Sequence, residues 1–190
     1  ASIQKIADII ARDLGMAAKI LQMVNSAFFG LRRRVGDIRD AVKLLGLDAI
    51  KALVLSVNVF AAFEKEKLGL LDFERLWQHS LATGGFAKHI MRTAGRPRDE
   101  IDAAFLAGML HDIGKLILAV NFGSDYQKVI QAPPSEERTE WEREQAAFGA
   151  SHAEIGAYLM GLWGLETVLL SAIAFHHNPG QSQIWEFGPL

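Results

Sequence analysis

The stretch FLAGMLHDIGKLILAVNF, residues 105–122, sets His111 beside Asp112 inside one of the most apolar parts of the chain, with Lys115 close behind. In an α-helix successive residues rotate by about 100°. Adjacent His and Asp side chains therefore splay, yet both can converge on one ion at the helix surface, and Lys115, one turn beyond His111, overlooks the same space. A carboxylate buried among apolar side chains needs a partner. Two kinds are open. Lys115 or His111 itself would give a hydrogen-bonded core pair without chemistry, whereas a divalent ion held by His and Asp together would be iron, manganese, nickel or zinc. Gly108 and Gly114 each lower helix propensity by roughly 1 kcal/mol relative to alanine, a cost that fits the close approach of another backbone.

The chain has six histidines and no cysteine. Disulfides and thiolate sites are excluded, so a metal would have to take His, Asp or Glu; the composition fits a reducing cytoplasm. His79 lies in LWQHSLATGGFAKH among Ala82, Gly84 and Gly85, small residues that permit close packing. His152 occupies the first turn of its helix, and His176 with His177 end another apolar one. His89, three residues before Arg92, reads as solvent-facing. The other five histidines and Asp112 could form one inward-facing cluster, although chance can also place them so.

Elements that would position these groups are helical almost throughout, because apolar residues recur at spacings of three and four. SIQKIADIIARDLG reads as one helix, capped by Ser2 and stopped at Gly15; MAAKILQMVNSAFFG reads as a second, ending in the turn chemistry of Asn25, Ser26 and Gly30. DIRDAVKLLGLDAIKALVLSVNVFAAF breaks at Gly46. With Arg32, Arg33 and Arg34 nearby, that break has the outline of a helix-turn-helix. A recognition helix, however, must show polar side chains to base edges, and residues 49–63 are mostly Leu, Val, Ala and Phe. A buried helix pair is expected, with the arginines in a solvated turn or partner-facing patch.

EKEKLGLLD is the expected lobe boundary. After it come a helix over 73–93, the loop AGRPRDE, the helix carrying the His-Asp doublet, and a short helix after Ser124. The APPSEER break leads into SEERTEWEREQAAFG, read as an exposed acidic face. SHAEIGAYLMGLWG opens with a Ser151–Glu154 capping box and stops near Gly164. A last helix, LETVLLSAIAF, runs into His176, His177 and the closing Pro179.

With 190 residues, half of them hydrophobic, the chain can bury a core as one domain or two small lobes. A net charge of −2 and an isoelectric point near 6.3 give no basic field for nucleic acid, which is disfavoured as a partner. Apolar runs such as 103–110 and 116–120 are interrupted by charge and fall short of the roughly 18 residues that cross a bilayer, so no membrane association is expected. Starting at Ala1 with no signal-like segment, the chain reads as a domain excised from a longer protein.

Together these residues resemble the HD superfamily, specifically its HDOD branch, the HD-related output domain of bacterial signalling proteins. IIARDLGMAAKILQMVNSAFFG is similar to that branch's opening signature and IRDAVKLLGLDAIKALVL to its second block; LAGMLHDIGKLIL and FGASHAEIGAYLMGLWGL with AIAFHHNP resemble the HD half. One departure is Leu14, where the branch usually has proline. The resemblance implies an all-α, two-lobed helical bundle, with N-terminal HDOD-specific helices over 1–63 and an HD-like lobe over 64–190.

By the same resemblance, His79 matches the early histidine of HD phosphohydrolases, and His111 with Asp112 match the metal-binding doublet. Lys115, His152, His176 and His177 match further positions of the cyclic-di-GMP phosphodiesterases of the superfamily. There the histidines hold additional metals and the lysine lies over the phosphate, the one residue here with a catalytic role if the protein hydrolyses. The late aspartate of the active enzymes has no match, and HHNPGQSQ lacks the phosphodiesterase signature. The implied function is a non-catalytic, cytoplasmic output module acting on a signalling protein or a linked receiver or sensor domain, with self-association left open. A metal-dependent phosphohydrolase or cyclic-di-GMP phosphodiesterase is the alternative. The Arg32, Arg33 and Arg34 turn and the acidic segment 136–144 are the expected partner-facing patches.

Overall fold

The computed structural model of the chain describes residues 3–25, 31, 34–61, 71–132 and 138–182. These residues form ten α-helices and no β-strand: α1 (Ile3–Arg12), α2 (Leu14–Val24), α3 (Ile38–Leu45), α4 (Leu47–Ala61), α5 (Phe73–Thr93), α6 (Arg98–Leu110), α7 (Ile113–Gln131), α8 (Glu140–Phe148), α9 (His152–Leu162) and α10 (Thr167–Ala174), followed by a 3-10 turn at Pro179–Gln181. The all-α fold is the one the periodicity predicts. Ser2, Ser26, Gly30, Arg32, Arg33 and most of the EKEKLGLLD and APPSEER segments lie outside the described residues.

Two compact units share the chain, one of residues 1–62 with 81–106 and the other of 63–80 with 107–190. The expected cut at 63/64 assigns 81–106 to the C-terminal lobe, whereas these residues cluster with the N-terminal helices. The reason is helix length. A helix of 21 residues such as α5 spans about 30 Å, the diameter of a small domain, so its two ends can serve different cores.

In the first unit the break expected at Gly15 falls two residues earlier. Asp13 ends α1 and caps α2, its side chain accepting the Met16 N–H at 3.0 Å. Because Asp13 does the capping, Leu14 in place of the branch's proline leaves the helix start intact; its side chain is simply exposed. Gly46 does break the next pair, with φ of 87°, and the Arg98 guanidinium donates to the Leu45 carbonyl beside it. Ile50, Leu53, Val57 and Phe60 of α4 are buried, as expected of a packed helix pair.

The second unit stacks α7 on α9, with α8 and α10 against them. Leu116, Leu118, Met160 and Ile173 are fully buried in its core. Gly114 makes the α7–α9 contact: a Cβ there would overlap the His152 carbonyl oxygen. One expectation needs correction here. The segment 105–122 is not one helix but two, α6 and α7, separated by a turn at His111 and Asp112; a second interruption falls at Gly123, where φ is 42°. Taken across that turn, the stretch 98–131 is long and apolar enough to cross a bilayer by length and composition alone; 56% of its most apolar window is buried within the protein. A core helix passes the same test.

Candidate metal centre

The turn between α6 and α7 explains how His111 and Asp112 reach one place. Leaving the helix lets His111 fold back so that its Nδ1–H donates to the Gly108 carbonyl at 2.8 Å, which leaves Nε2 as the free nitrogen. Asp112 sits immediately before α7, where the positive end of the helix dipole offsets part of the cost of burying its charge. Only 4% of its side-chain surface is exposed.

The two carboxylate oxygens of Asp112 face different neighbours. Oδ2 is 3.6 Å from His79 Nε2, 3.4 Å from His111 Nε2 and 3.2 Å from Lys115 Nζ. Oδ1 is 3.2 Å from His152 Nε2 and 3.7 Å from His176 Nε2. His79 and His111 approach each other Nε2 to Nε2 at 3.3 Å, and His152 and His177 do so at 3.0 Å. The ligand atoms of His79, His111 and Asp112 lie within 4.8 Å of one another, as do those of Asp112, His152, His176 and His177. All six residues expected as metal ligands are thus drawn to one cluster, with Lys115 at its edge, while His89 is exposed elsewhere.

Hydrogen bonding fixes which nitrogen three of the rings present. His176 Nδ1–H donates to the Ile173 carbonyl at 2.7 Å, and its Nε2 is buried with no hydrogen-bond partner. His152 directs Nδ1 at the Glu144 carboxylate, 2.5 Å away. His111, His152 and His176 therefore all turn Nε2 inward with Nδ1 held behind, the arrangement of metal-ligating imidazoles. An orphaned buried nitrogen, facing nitrogen pairs and one shared carboxylate form a donor set that fits a divalent transition ion with a taste for imidazole, such as iron, nickel or zinc.

The electrostatics agree. Burial would raise the Asp112 pKa, but the His152 hydrogen bond and the charges of His111 and Lys115 outweigh it and hold the carboxyl far below its usual range. For Lys115 burial is overcome by Asp112 and Glu140, 3.2 and 3.3 Å away, so its pKa is raised. Burial lowers His111 and pushes His176 down to about 4, which disfavours the proton that would compete with a metal. His152 behaves otherwise: burial acts to lower it, but Asp112 and Glu144 together raise it. A proton on His152 Nε2 and a metal there exclude each other.

Asp112 answers both alternatives open from the sequence: it contacts Lys115 as a core pair would, and it also faces five imidazoles. Sequence reasoning missed Glu144. The segment 136–144, expected to be an exposed acidic face, instead buries Glu144 completely and pairs Glu140 with Lys115; residues 136 and 137 lie outside the described ones. A signal for this was present. Trp141, Glu144 and Phe148 are spaced by three and four, one stripe of a helix, so Glu144 shares the face of two aromatics. Trp141 stacks on His177, ring centroids 6.1 Å apart.

Comparison with known proteins places this geometry in context. The chain is 29% identical over 172 residues to an uncharacterized protein of Treponema pallidum (strain Nichols), covering 90% of this chain and 32% of the relative. It thus spans about a third of that relative's length. A solved HDOD domain protein of unknown function from Geobacter sulfurreducens is similar over 97% of this chain and 61% of its own, with 29% identity and a TM-score of 0.81. A Marinobacter aquaeolei VT8 protein, carrying a provisional signal-transduction name, matches over 94% of this chain and 40% of its own at 26% identity and a TM-score of 0.71. The HDOD domain family model matches residues 1–179, and the chain belongs to the HDOD domain family.

Proposed function

We propose that this chain is a cytoplasmic output module of bacterial signalling that works by binding a partner, with a divalent metal ion as the centre of its C-terminal unit. The observation that carries the metal is the division of Asp112 between two sets of imidazoles, in which His111, His152 and His176 have Nδ1 tied back. In the protein, His79, His111 and Asp112 would hold one ion, and Asp112, His152, His176 and His177 a second position beside it. The signalling role rests on the family and on the name of the Marinobacter relative. The partner is a signalling protein or a receiver or sensor domain linked to this one. Metal content of anaerobically purified protein, measured by mass spectrometry for wild type and His111→Ala, tests the centre; loss of a substoichiometric or stoichiometric metal in the variant is expected. Wild-type protein free of metal that also takes up no added iron, manganese, nickel or zinc would refute it.

A second reading is favoured by one feature: Lys115 Nζ stands 3.2 Å from Asp112 Oδ2, where a cation could meet a phosphate oxygen beside a metal-bound hydroxide. That reading is a metal-dependent phosphohydrolase or cyclic-di-GMP phosphodiesterase. Sustained hydrolysis of cyclic-di-GMP or another phosphoester with manganese or iron, abolished by His111→Ala, would replace the non-catalytic reading. Partner binding that survives His111→Ala would support the non-catalytic one.

A further inference from the structure

Glu144 is a carboxylate with none of its surface exposed, and no Lys or Arg among the described residues forms an ion pair with it. Burying such a charge is costly unless something compensates it. Its surroundings show what does. Oε2 accepts the His152 backbone N–H at 2.8 Å and faces the His152 Nδ1 at 2.5 Å. Oε1 accepts the Tyr126 hydroxyl at 3.2 Å, and Tyr126 is itself 1% exposed. The backbone N–H is one of the donors that the first turn of α9 leaves without a helical acceptor, so Glu144 secures the end of that helix and the ring of its first residue together. From the opposite side, the His152 carbonyl is pressed onto Gly114 too closely for any Cβ. Main chain and imidazole of His152 are thus clamped by two elements, α8 through Glu144 and α7 through Gly114, with Nε2 left facing Asp112 and His177.

We infer that Glu144, braced by Tyr126, is the positioning residue of the metal centre: it holds His152 as the tautomer with Nδ1 protonated and Nε2 directed at the ion. This rests on the metal reading above. A neutral amide of the same shape could keep the helix end in place. Only a carboxylate adds negative charge behind the ring, which compensates its own burial through the imidazole and makes Nε2 a stronger donor to a cation.

Zinc titration by calorimetry into wild type, Glu144→Gln and Tyr126→Phe tests the inference, with long-range 1H–15N spectra of the His152 ring. Zinc is diamagnetic and suits imidazole. Glu144→Gln should retain the helical circular dichroism and the stoichiometry but bind zinc about 10- to 100-fold more weakly, and the 15N shifts of its zinc-bound His152 ring should move from those of wild type. Tyr126→Phe leaves the carboxylate and should weaken zinc by about 2- to 5-fold. If Glu144→Gln does not fold, Tyr126→Phe decides: unchanged zinc affinity with unchanged His152 ring shifts overturns the inference. Folded Glu144→Gln that binds zinc as tightly as wild type overturns it alone. A wild type that binds no zinc overturns the metal reading, and this inference falls with it.

Discussion

Both units enclose polar side chains wholly or in part, but they use them differently. In the N-terminal unit Asn25 donates through Nδ2 to the Leu21 and Val35 carbonyls and accepts the Val35 N–H at 2.7 Å through Oδ1. Each of its groups meets a complementary one, and the side chain closes a loop. In the C-terminal unit, imidazole nitrogens face one another at 3.0 and 3.3 Å, and His176 Nε2 has no hydrogen-bond partner. A polar group that completes its bonding inside the protein is structural. Imidazole nitrogens that converge on one another and on a shared carboxylate, as these do, could hold a metal ion.

The largest expected difference between the units comes from backbone approach. Gly114→Ala drives a methyl into the His152 carbonyl and should destabilise the protein by about 3 kcal/mol or more, with loss of metal uptake. Gly36→Ala, where a Cβ meets nothing within 4 Å, should stay within about 0.5 kcal/mol. Denaturant midpoints of the two variants measure the contrast; equal shifts would erase it.

Next in size is the response to metal. Zinc at about 100 times its dissociation constant should stabilise the protein by about 2.7 kcal/mol, seen as a raised melting temperature. Asn25→Ala should cost about 1 kcal/mol by removing hydrogen bonds to partly buried main-chain groups yet leave the zinc-induced rise unchanged. Asp112→Ala should abolish that rise. An Asn25 variant that loses the zinc response would show the two polar sites to be coupled.

In metal-free protein, acid should act through His176. Its pKa is pushed to about 4 by burial, from 6.5, so between those values the unfolded chain holds a proton that the folded one refuses. Stability therefore falls as pH drops from about 6.5 to about 4, by up to roughly 3 kcal/mol. His152, raised by Asp112 and Glu144 against its burial, contributes in the opposite sense: its stabilisation is present below 6.5 and fades as pH rises through its folded value. The slope of His176→Asn against wild type, by chemical denaturation across this range, isolates the first effect. Parallel slopes would refute it.

Smallest is the pair within the site. A double-mutant cycle of Asp112→Ala and Lys115→Met in metal-free protein should give a coupling of about 1 kcal/mol, because Lys115 keeps Glu140 at 3.3 Å when Asp112 is lost. Zero coupling would remove Lys115 from the roles of Asp112.

Much of this is legible in the sequence. Apolar spacing alone determines that the chain is helical, and the bounds of α5, the break at Gly46 and the Ser151–Glu154 cap of α9 follow from local rules that act over a few residues. The cost of leaving Asp112 alone in an apolar stretch likewise demands a partner for it, on residue types alone. Tertiary structure decided the rest. Periodicity cannot show that the chain turns at His111 and Asp112, because apolar residues on both sides keep helical spacing. Charge counting makes 136–144 an exposed face, since a glutamate's burial depends on a histidine eight residues on and a tyrosine eighteen residues back. The approach of His152 to Asp112 Oδ1 depends on α7 packing against α9 where Gly114 admits the His152 carbonyl. Contacts between residues distant in sequence leave no periodic trace, and they alone turn six scattered side chains into one site.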